Sequence, residues 1–259
     1  MTNNTPPVFL INLDNSTDRL HESQERLAPT GLTFERVSAV YGAKISLDEK
    51  NKFYSAELNR TQYHKPLSPG EIGCYMSHLK VLQHIVDNNI KYAVILEDDF
   101  KVVADLNSAI ASLSDIPFDW DMIKLAEYGN RERPTAYEFK LNDQFNLRIQ
   151  QKVSAGTCAQ AVSLMGAKKI LNASIPFGRP VDTDYQHWWE KDIEILTLSP
   201  CPLKQDLEFD STIAAMSKGL QFRSAFWRRK LQQMTQKLNN KKHTQRVIKK
   251  YMNLNENRA

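Results

Sequence analysis

A single α/β domain with a mostly parallel central sheet, followed by a basic amphipathic helical tail, is the fold class this sequence predicts. Three observations predict it. Two stretches, Val8–Leu13 (apolar but for Asn12) and the continuous apolar run Tyr92–Leu96, each stop at polar residues, as strands buried on both faces do. One polar helical stretch, Asp18–Leu27, separates the first run from a second strand, Thr33–Val37, which makes a βαβ unit. The chain then turns abruptly basic, with twelve Lys/Arg and one acid (Glu256) between Lys218 and Ala259.

The elements follow in order. Val8–Leu13 is the first strand, stopped by Asp14, Asn15 and Ser16. Residues 42–67 are polar and read as irregular. Ser68-Pro69-Gly70-Glu71 opens a helix: serine suits the N-cap, proline the first helical position, and the glutamate completes a capping box. Ile72, Met76, Leu79, Leu82 and Val86 continue at helical spacing, so one face is core. The strand Tyr92–Leu96 comes next, then a short helix at Leu106–Leu113 and a strand at Asp121–Ala126. Beyond a charged loop, 127–147, Arg148–Val153 and Thr157–Leu164 read as strands. Ala167–Leu171 is a short helix, and Pro180 opens another that contains Trp188 and Trp189. Ile193–Leu198 is the last strand, closed by Pro200 and Pro202. The composition divides the chain into a body, 1–217, and a tail, 218–259.

Over 259 residues, 41% hydrophobic and 25% charged content place the body with soluble globular proteins. No run approaches the roughly 18 apolar residues of a spanning helix. The start, Met1–Pro7, has neither the basic nor the apolar region of a secretory signal. Cys74, Cys158 and Cys201 are widely spaced, which suits buried thiols in a reducing compartment rather than a disulfide framework or a zinc site.

Chemistry concentrates where the strand Tyr92–Leu96 runs into Glu97-Asp98-Asp99. Three adjacent carboxylates at the carboxyl end of a buried strand repel one another and lose solvation unless a cation joins them. Alternation along a strand sends Glu97 and Asp99 to one side and Asp98 to the other, unless the strand bends. The segment therefore reads either as a divalent-cation site for a phosphate-bearing substrate or as a solvated acidic loop. The Ser68 helix adds Ser77 and His78 off its main apolar stripe, His78 as a ligand or as a satisfied structural histidine. Its glycines at 70 and 73 let a backbone or a ligand come close.

Several segments, taken together, resemble one family. They are Phe9-Leu-Ile-Asn-Leu-Asp14 with Arg19, Ala39-Val-Tyr-Gly42, Leu67-Ser-Pro-Gly-Glu-Ile-Gly-Cys74 with Ser77-His78-Leu79, Ile95-Leu-Glu-Asp-Asp99, Gly166–Leu171, and Pro180-Val-Asp182. In this order they resemble glycosyltransferase family 25, the bacterial lipooligosaccharide galactosyltransferases and their collagen-modifying relatives. The resemblance spans residues 8–205 and leaves the tail outside. It implies a GT-A-like, Rossmann-type domain, a nucleotide-sugar donor such as UDP-galactose, Mn²⁺ (or Mg²⁺), and inversion to a β-linked sugar. By it, Asp99 and Glu97 are the metal ligands. Asn12, Asp14, Arg19, Ser77, His78, Glu97 and Asp98 line the donor site. Inversion needs a base for the acceptor hydroxyl; Asp182 is the first candidate, Asp184 the second and His187 the third. Asp182 reads equally as a helix N-cap, and Trp188 and Trp189 as core or as a sugar-stacking platform.

The tail gives the molecule an electrical asymmetry, +11 against −7 for the remainder. Leu220, Trp227, Leu231, Met234 and Leu238 form one apolar stripe among bases, and Val247, Ile248, Tyr251 and Met252 a second apolar stretch. We read the tail as seated on an anionic membrane surface, where each base near the lipid contributes about 1 kcal/mol, or else docked on the body. This places the protein at the inner leaflet of a bacterial inner membrane, working on a lipid-linked lipooligosaccharide or lipopolysaccharide acceptor. A nucleic-acid-binding tail and a non-catalytic sugar-nucleotide scaffold are the competing readings. The first is weakened by the acidic body, and no nucleic-acid partner is expected.

Overall fold

Apolar burial decides which strands lie at the centre. Leu10, Val94, Ile95, Leu96, Ile123 and Val162 are all fully buried, and each belongs to a strand flanked on both sides. The computed structural model describes residues 5–128, 133–206 and 226–256. In chain order the elements are β1 (Val8–Asn12), α1 (Thr17–Leu27), β2 (Glu35–Ser38), α2 (Leu47–Phe53), α3 (Ala56–Gln62), α4 (Pro69–Asp87), β3 (Tyr92–Glu97), β4 (Phe100–Val102) and α5 (Leu106–Ser112). Then come β5 (Met122–Lys124), β6 (Ala126–Glu127), β7 (Thr135–Lys140), β8 (Asn146–Gln150), β9 (Ala159–Ser163), α6 (Leu164–Ser174), α7 (Val181–Tyr185), β10 (Ile195–Ser199), β11 (Leu203–Gln205) and α8 (Phe226–Glu256).

Eight strands form one sheet in the order β2-β1-β3-β9-β5-β10-β8-β7. Six of them point the same way, and β9 and β8 run against them. The parallel register aligns Ile11 with Glu97 and Asn12 with Ser38, so β1, β2 and β3 all end at one edge. The reversed strand β9 enters the sheet at that same edge, between β3 and β5, with Ala159 opposite Leu96 and Gln160 opposite Lys124. A small second sheet, β4-β11-β6, continues past the edge and lays Gln205 beside Phe100.

Helix α4 begins as its sequence dictates. Ser68 accepts from the Glu71 amide at 3.2 Å, and Glu71 accepts from the Ser68 amide at 2.7 Å, closing the capping box. The glycines nearby serve backbone contact. A Cβ on Gly73 would lie 2.4 Å from the Val40 carbonyl oxygen, and one on Gly42 would lie 1.7 Å from that of Pro69. The loop before α2 therefore seats directly on the start of α4.

The structure differs from the sequence reading in several places. Residues 42–67 hold α2 and α3, each started by a serine cap: Ser46 accepts from Glu49 and Ser55 from Leu58. Both helices are short and largely polar, so no apolar periodicity announces them. The charged loop 127–147 contains β7, the sheet's far edge, whose pairing with β8 slips between Thr135 and Tyr137 and so blurs its alternation. The helix opened by Pro180 ends at Tyr185, and Trp188 and Trp189 lie in a separate 3₁₀ turn.

The tail helix behaves as two halves. Its carboxyl half belongs to the core: Val247 and Tyr251 are buried, and Tyr251 stacks on Phe139 at 5.4 Å and meets Phe118 edge-on at 5.0 Å. Trp188 Nε1 donates to Asn240 Oδ1 at 3.2 Å, and Trp189 stacks on His243 at 5.7 Å. The tryptophans are thus covered by α8 and are not an open sugar platform. In the amino half, Trp227, Leu231, Met234 and Leu238 are 79%, 61%, 58% and 65% exposed. Leu220 and the expected boundary near 217 lie outside the described residues.

Tyr251→Ala removes a ring packed between two others and a hydroxyl that donates to Glu194 at 2.9 Å. It should destabilise the whole body by about 3 kcal/mol or more, read as one urea transition moved to lower denaturant. A loss confined to helix signal, with an unchanged midpoint for the sheet, would mean that α8 is an independent appendage.

Candidate active site

The three acids stand where β3 meets β4, and each has different company. Glu97 Oε1 lies 2.7 Å from His78 Nε2 and takes the Thr157 hydroxyl as a second donor. Helix α4 supplies the buried histidine across the sheet face, and the loop into β9 supplies the threonine. Burial pushes the Glu97 carboxyl up, but His78, Thr157 and Lys124 more than offset it, and the net value is below the ordinary glutamate range. The chain bends here, with Asp98 and Asp99 in the turn between β3 and β4, and Asp98 has partners of its own. It pairs with Arg19 and accepts from Asn12 Nδ2 at 2.7 Å. Burial nonetheless leaves its carboxyl raised, with Arg19 and Asn12 opposing the effect.

Asp99 has the least company. Its Oδ2 accepts from Gln205 Nε2 at 2.8 Å, the buried Cys158 thiol lies against the carboxyl as a weak donor, and its Oδ1 is buried with no partner in hydrogen-bond geometry. Burial, and then the Glu97 charge, push its carboxyl from 3.8 to about 6. The folded value exceeds the unfolded one, so ionising Asp99 costs stability, and that cost appears as pH rises from 3.8 through about 6. An orphaned carboxylate oxygen beside a second, ionised carboxylate fits an oxygen-seeking divalent cation. Cys74, His78 and Glu97 also bring possible ligand atoms within 4.8 Å of one another. That set is softer, and burial together with the carboxylates around it holds the Cys74 thiol well above its usual range, hence protonated. Glu97 and Asp99 are therefore the better match for Mn²⁺ or Mg²⁺.

The remaining predicted residues separate. Asn12 joins the site and also accepts from Arg36 Nε at 3.1 Å. Asp14 is exposed and paired with Arg36 and Ser38; the Arg36 guanidinium lowers its carboxyl. It lies on the rim with β2 and reaches the acid cluster only indirectly, through Arg36 and Asn12. Ser77 is buried and holds backbone, donating to the Gly73 carbonyl at 2.7 Å and accepting from the Val40 amide at 2.8 Å. It fastens the loop before α2 to α4.

Helix α7 divides the base candidates. Asp184 is sealed in: Tyr75 donates to it at 2.5 Å, Lys191 at 2.6 Å and Arg179 at 3.1 Å. Burial raises its carboxyl, but Lys191, Tyr75 and Arg179 bring the net below the usual aspartate range. It anchors α7. Asp182, two residues earlier, accepts from the amide of Thr183 at 2.7 Å and from that residue's hydroxyl, and feels the Glu97 charge. Burial, opposed by that amide, raises its carboxyl, as a proton acceptor for neutral solution requires. His187 Nδ1 donates to the Thr183 carbonyl, 3.0 Å away, and burial and then Arg179 lower its imidazole.

Lys124 is the residue that sequence reading misses. It ends β5 fully buried, donating to Gly156 O at 2.8 Å and Gln160 Oε1 at 2.9 Å, with its ammonium 5.4 Å from the Tyr185 ring centroid. Burial lowers it to about 8, and the Glu97 and Asp182 charges oppose that shift. The one available signal was a lysine interrupting the apolar run Met122-Ile123-Lys124-Leu125.

This geometry lies within the stretch that comparison with known proteins identifies. The family model described as Glycosyltransferase family 25 (LPS biosynthesis protein) matches residues 5–184. The chain belongs to glycosyltransferase family 25. The family 25 chain is 29% identical to procollagen galactosyltransferase 1-B of Xenopus laevis over 215 residues, 74% of this chain and 34% of that protein. It is 26% identical to human procollagen galactosyltransferase 2 over 215 residues, again 74% and 34%. A glycosyltransferase 25 family member of Anopheles gambiae is 28% identical over 173 residues, 63% of this chain and 28% of that one. The chain spans about a third of the length of the curated relatives it matches. A solved mannose-1-phosphate geranyltransferase from Thermus thermophilus superposes with a TM-score of 0.36 at 10% identity, over 78% of this chain and 74% of that one, too distant to argue from. Helix α8 lies beyond the matched segment of the family model.

The two aspartates of α7 should respond oppositely to amide substitution. Asp184→Asn leaves Lys191 without its buried counter-charge and Arg179 with Glu190 alone, and should cost about 3 kcal/mol or more. Asp182→Asn removes a carboxylate whose ionisation the fold resists, so its denaturation midpoint should stay or rise. Equal losses in the two variants would contradict this division.

Proposed function

We propose that this chain transfers galactose from UDP-galactose to a hydroxyl of a lipooligosaccharide or lipopolysaccharide glycan, inverting the anomeric carbon to a β-linkage, with Mn²⁺ or Mg²⁺ at the acidic cluster. The observation that carries the reading is the partnerless, buried Asp99 Oδ1 beside Glu97, at the carboxyl edge of β1 and β3 in a family 25 chain. Glu97 and Asp99 would hold the cation. Bound there, the cation supplies positive charge against the diphosphate that leaves. His78 and Thr157 fix the Glu97 rotamer and so act as positioning residues. Arg19, held by Asp98, brings a guanidinium to the loop after β1, where it can meet phosphate.

The transfer is a single displacement. The acceptor oxygen bonds to the anomeric carbon as the bond from that carbon to the diphosphate oxygen breaks, and the electron pair leaves with UDP. Asp182 takes the hydroxyl proton. Lys124, beneath Glu97 and Asp182, balances the negative charge on both. The family's description supports the lipopolysaccharide acceptor; the procollagen names of its relatives make a protein acceptor the outcome to test against it.

The acceptor class agrees with a membrane seat. No helix of the described residues is long and apolar enough to cross a membrane. The amino half of α8 instead offers Trp227, Leu231, Met234 and Leu238 to the outside, with Lys230 over the Trp227 ring at 6.0 Å. An anionic bilayer, as at the inner leaflet of a bacterial inner membrane, complements both the stripe and its bases.

Asp182→Asn should lower kcat at least a hundredfold while leaving the affinity for UDP-galactose within about twofold; an equal loss of donor affinity would move Asp182 out of the proton-acceptor role. The double variant Leu231→Glu/Leu238→Glu should weaken sedimentation with anionic vesicles tenfold or more, and wild-type binding should fall with added salt. Unchanged vesicle binding would reject the membrane seat. Point changes are the right probe, because truncating the tail would strip Tyr251 from the core.

A further inference from the structure

One cavity beside the site joins residues of the family match to residues beyond it, among them the tail helix. It lies between the end of α3, the turn after α7 and the amino half of α8, with a volume of about 240 Å³, roughly the room of one sugar ring. Five glutamines, Arg229 and Lys152 line it, and its described lining holds no carboxylate. Neither Arg229 nor Lys152 has an ion-pair partner among the described residues. Side-chain amides that donate and accept at once are the groups that read hydroxyls, and Tyr63, tilted by 54° against His64 at 4.3 Å, adds an aromatic wall.

The cavity reaches toward the chemistry. Thr183, which lines it, directly follows Asp182 and bonds to Tyr63. The Tyr63 phenol also feels the charges of Glu71, Asp182 and Arg229. Helix α8 presents two faces here. At about 100° per residue, Arg229, Gln232, Gln233 and Gln236 fall opposite Trp227, Leu231, Met234 and Leu238. Gln232 Nε2 donates to the Thr61 carbonyl at 3.1 Å, and Gln236 Nε2 to Gln186 Oε1 at 3.4 Å, which braces the amide face against the cavity.

We infer that this cavity is the acceptor subsite, and that it takes a sugar ring bearing an acidic group, a carboxylate or a phosphate, with Arg229 and Lys152 as the charge readers and the glutamines as the hydroxyl readers. The inference rests on the reading of Asp182 as the proton acceptor. It assigns α8 two tasks: its polar face selects the glycan, and its opposite face meets the membrane from which that glycan rises. His187, which shares the cavity wall, then belongs to acceptor binding.

The test uses the full chain and two isosteric probes, methyl glucuronide and methyl glucoside, with binding followed by ligand-observed NMR. A phosphate arm, galactose 6-phosphate against galactose, separates the two acidic groups. Wild type should bind at least one acidic sugar fivefold or more tighter than its neutral partner. Arg229→Ala should abolish that preference, and Gln236→Ala should weaken all sugars that bind, while both variants keep the thermal protection that UDP with Mn²⁺ gives the wild type. Equal binding of acidic and neutral sugars, no sugar binding, or a preference that survives Arg229→Ala would overturn the assignment. Failure of the donor-site reading looks different: UDP with Mn²⁺ would not protect the wild type, whatever the sugars do.

Discussion

Placing three consecutive carboxylates at the buried end of β3 is the constraint around which this molecule is arranged. Each acid loses water there, and each must recover the cost from a neighbour. Glu97 recovers it from α4, from the entrance to β9 and, at longer range, from Lys124 on β5. Asp98 recovers it from β1 and α1 through Asn12 and Arg19. Asp99 is given Gln205 from the small sheet and keeps one oxygen without a partner. Strand order, the reversed strand β9 and the small second sheet thus converge on a site whose electrostatics favour the charge on Glu97, offset burial only in part at Asp98, and stay open at Asp99. We assign that opening to a divalent cation and the diphosphate it faces.

A second buried network holds the other side of the site. Arg179, Lys191 and Tyr75 lock Asp184, and so fix the short helix that carries Asp182. Five residues cannot hold a helix by their own hydrogen bonds, and α7 depends on these charges and on the turn that follows it. Two aspartates of the same helix thereby take opposite roles. One has every oxygen engaged by charged or phenolic donors and a lowered carboxyl; the other is held by Thr183 alone, feels the Glu97 charge and has a raised carboxyl.

What could be read in the sequence was whatever announces itself locally. The capping box at Ser68, the apolar runs at Val8 and Tyr92 and the acid triplet are contiguous, and their elements stand within a residue or two of where they were expected. What could not be read depends on partners far along the chain. Lys124 finds its company in Gly156 and Gln160, and Asp184 in Tyr75. Helices α2 and α3 are too polar to show a periodicity, and β7 is an edge strand with a slipped register. The tail's apolar residues looked like a membrane stripe continued by a second patch; only packing revealed that Val247 and Tyr251 complete the core while Trp227 to Leu238 stay outside.

The central claim is that Glu97 and Asp99 together hold a divalent cation. The most direct measurement is a Mn²⁺ titration followed by electron paramagnetic resonance, on wild type and on Asp99→Asn, on both sides of the Asp99 titration. Because the Asp99 carboxyl is held at about 6, its proton competes with the metal below that value. The account predicts one Mn²⁺ per chain, affinity that rises as pH passes about 6 and levels off above it, further tightening with UDP-galactose, and at least tenfold weaker binding in Asp99→Asn. Wild-type binding that ignores pH and survives Asp99→Asn, or no binding at all, would contradict it.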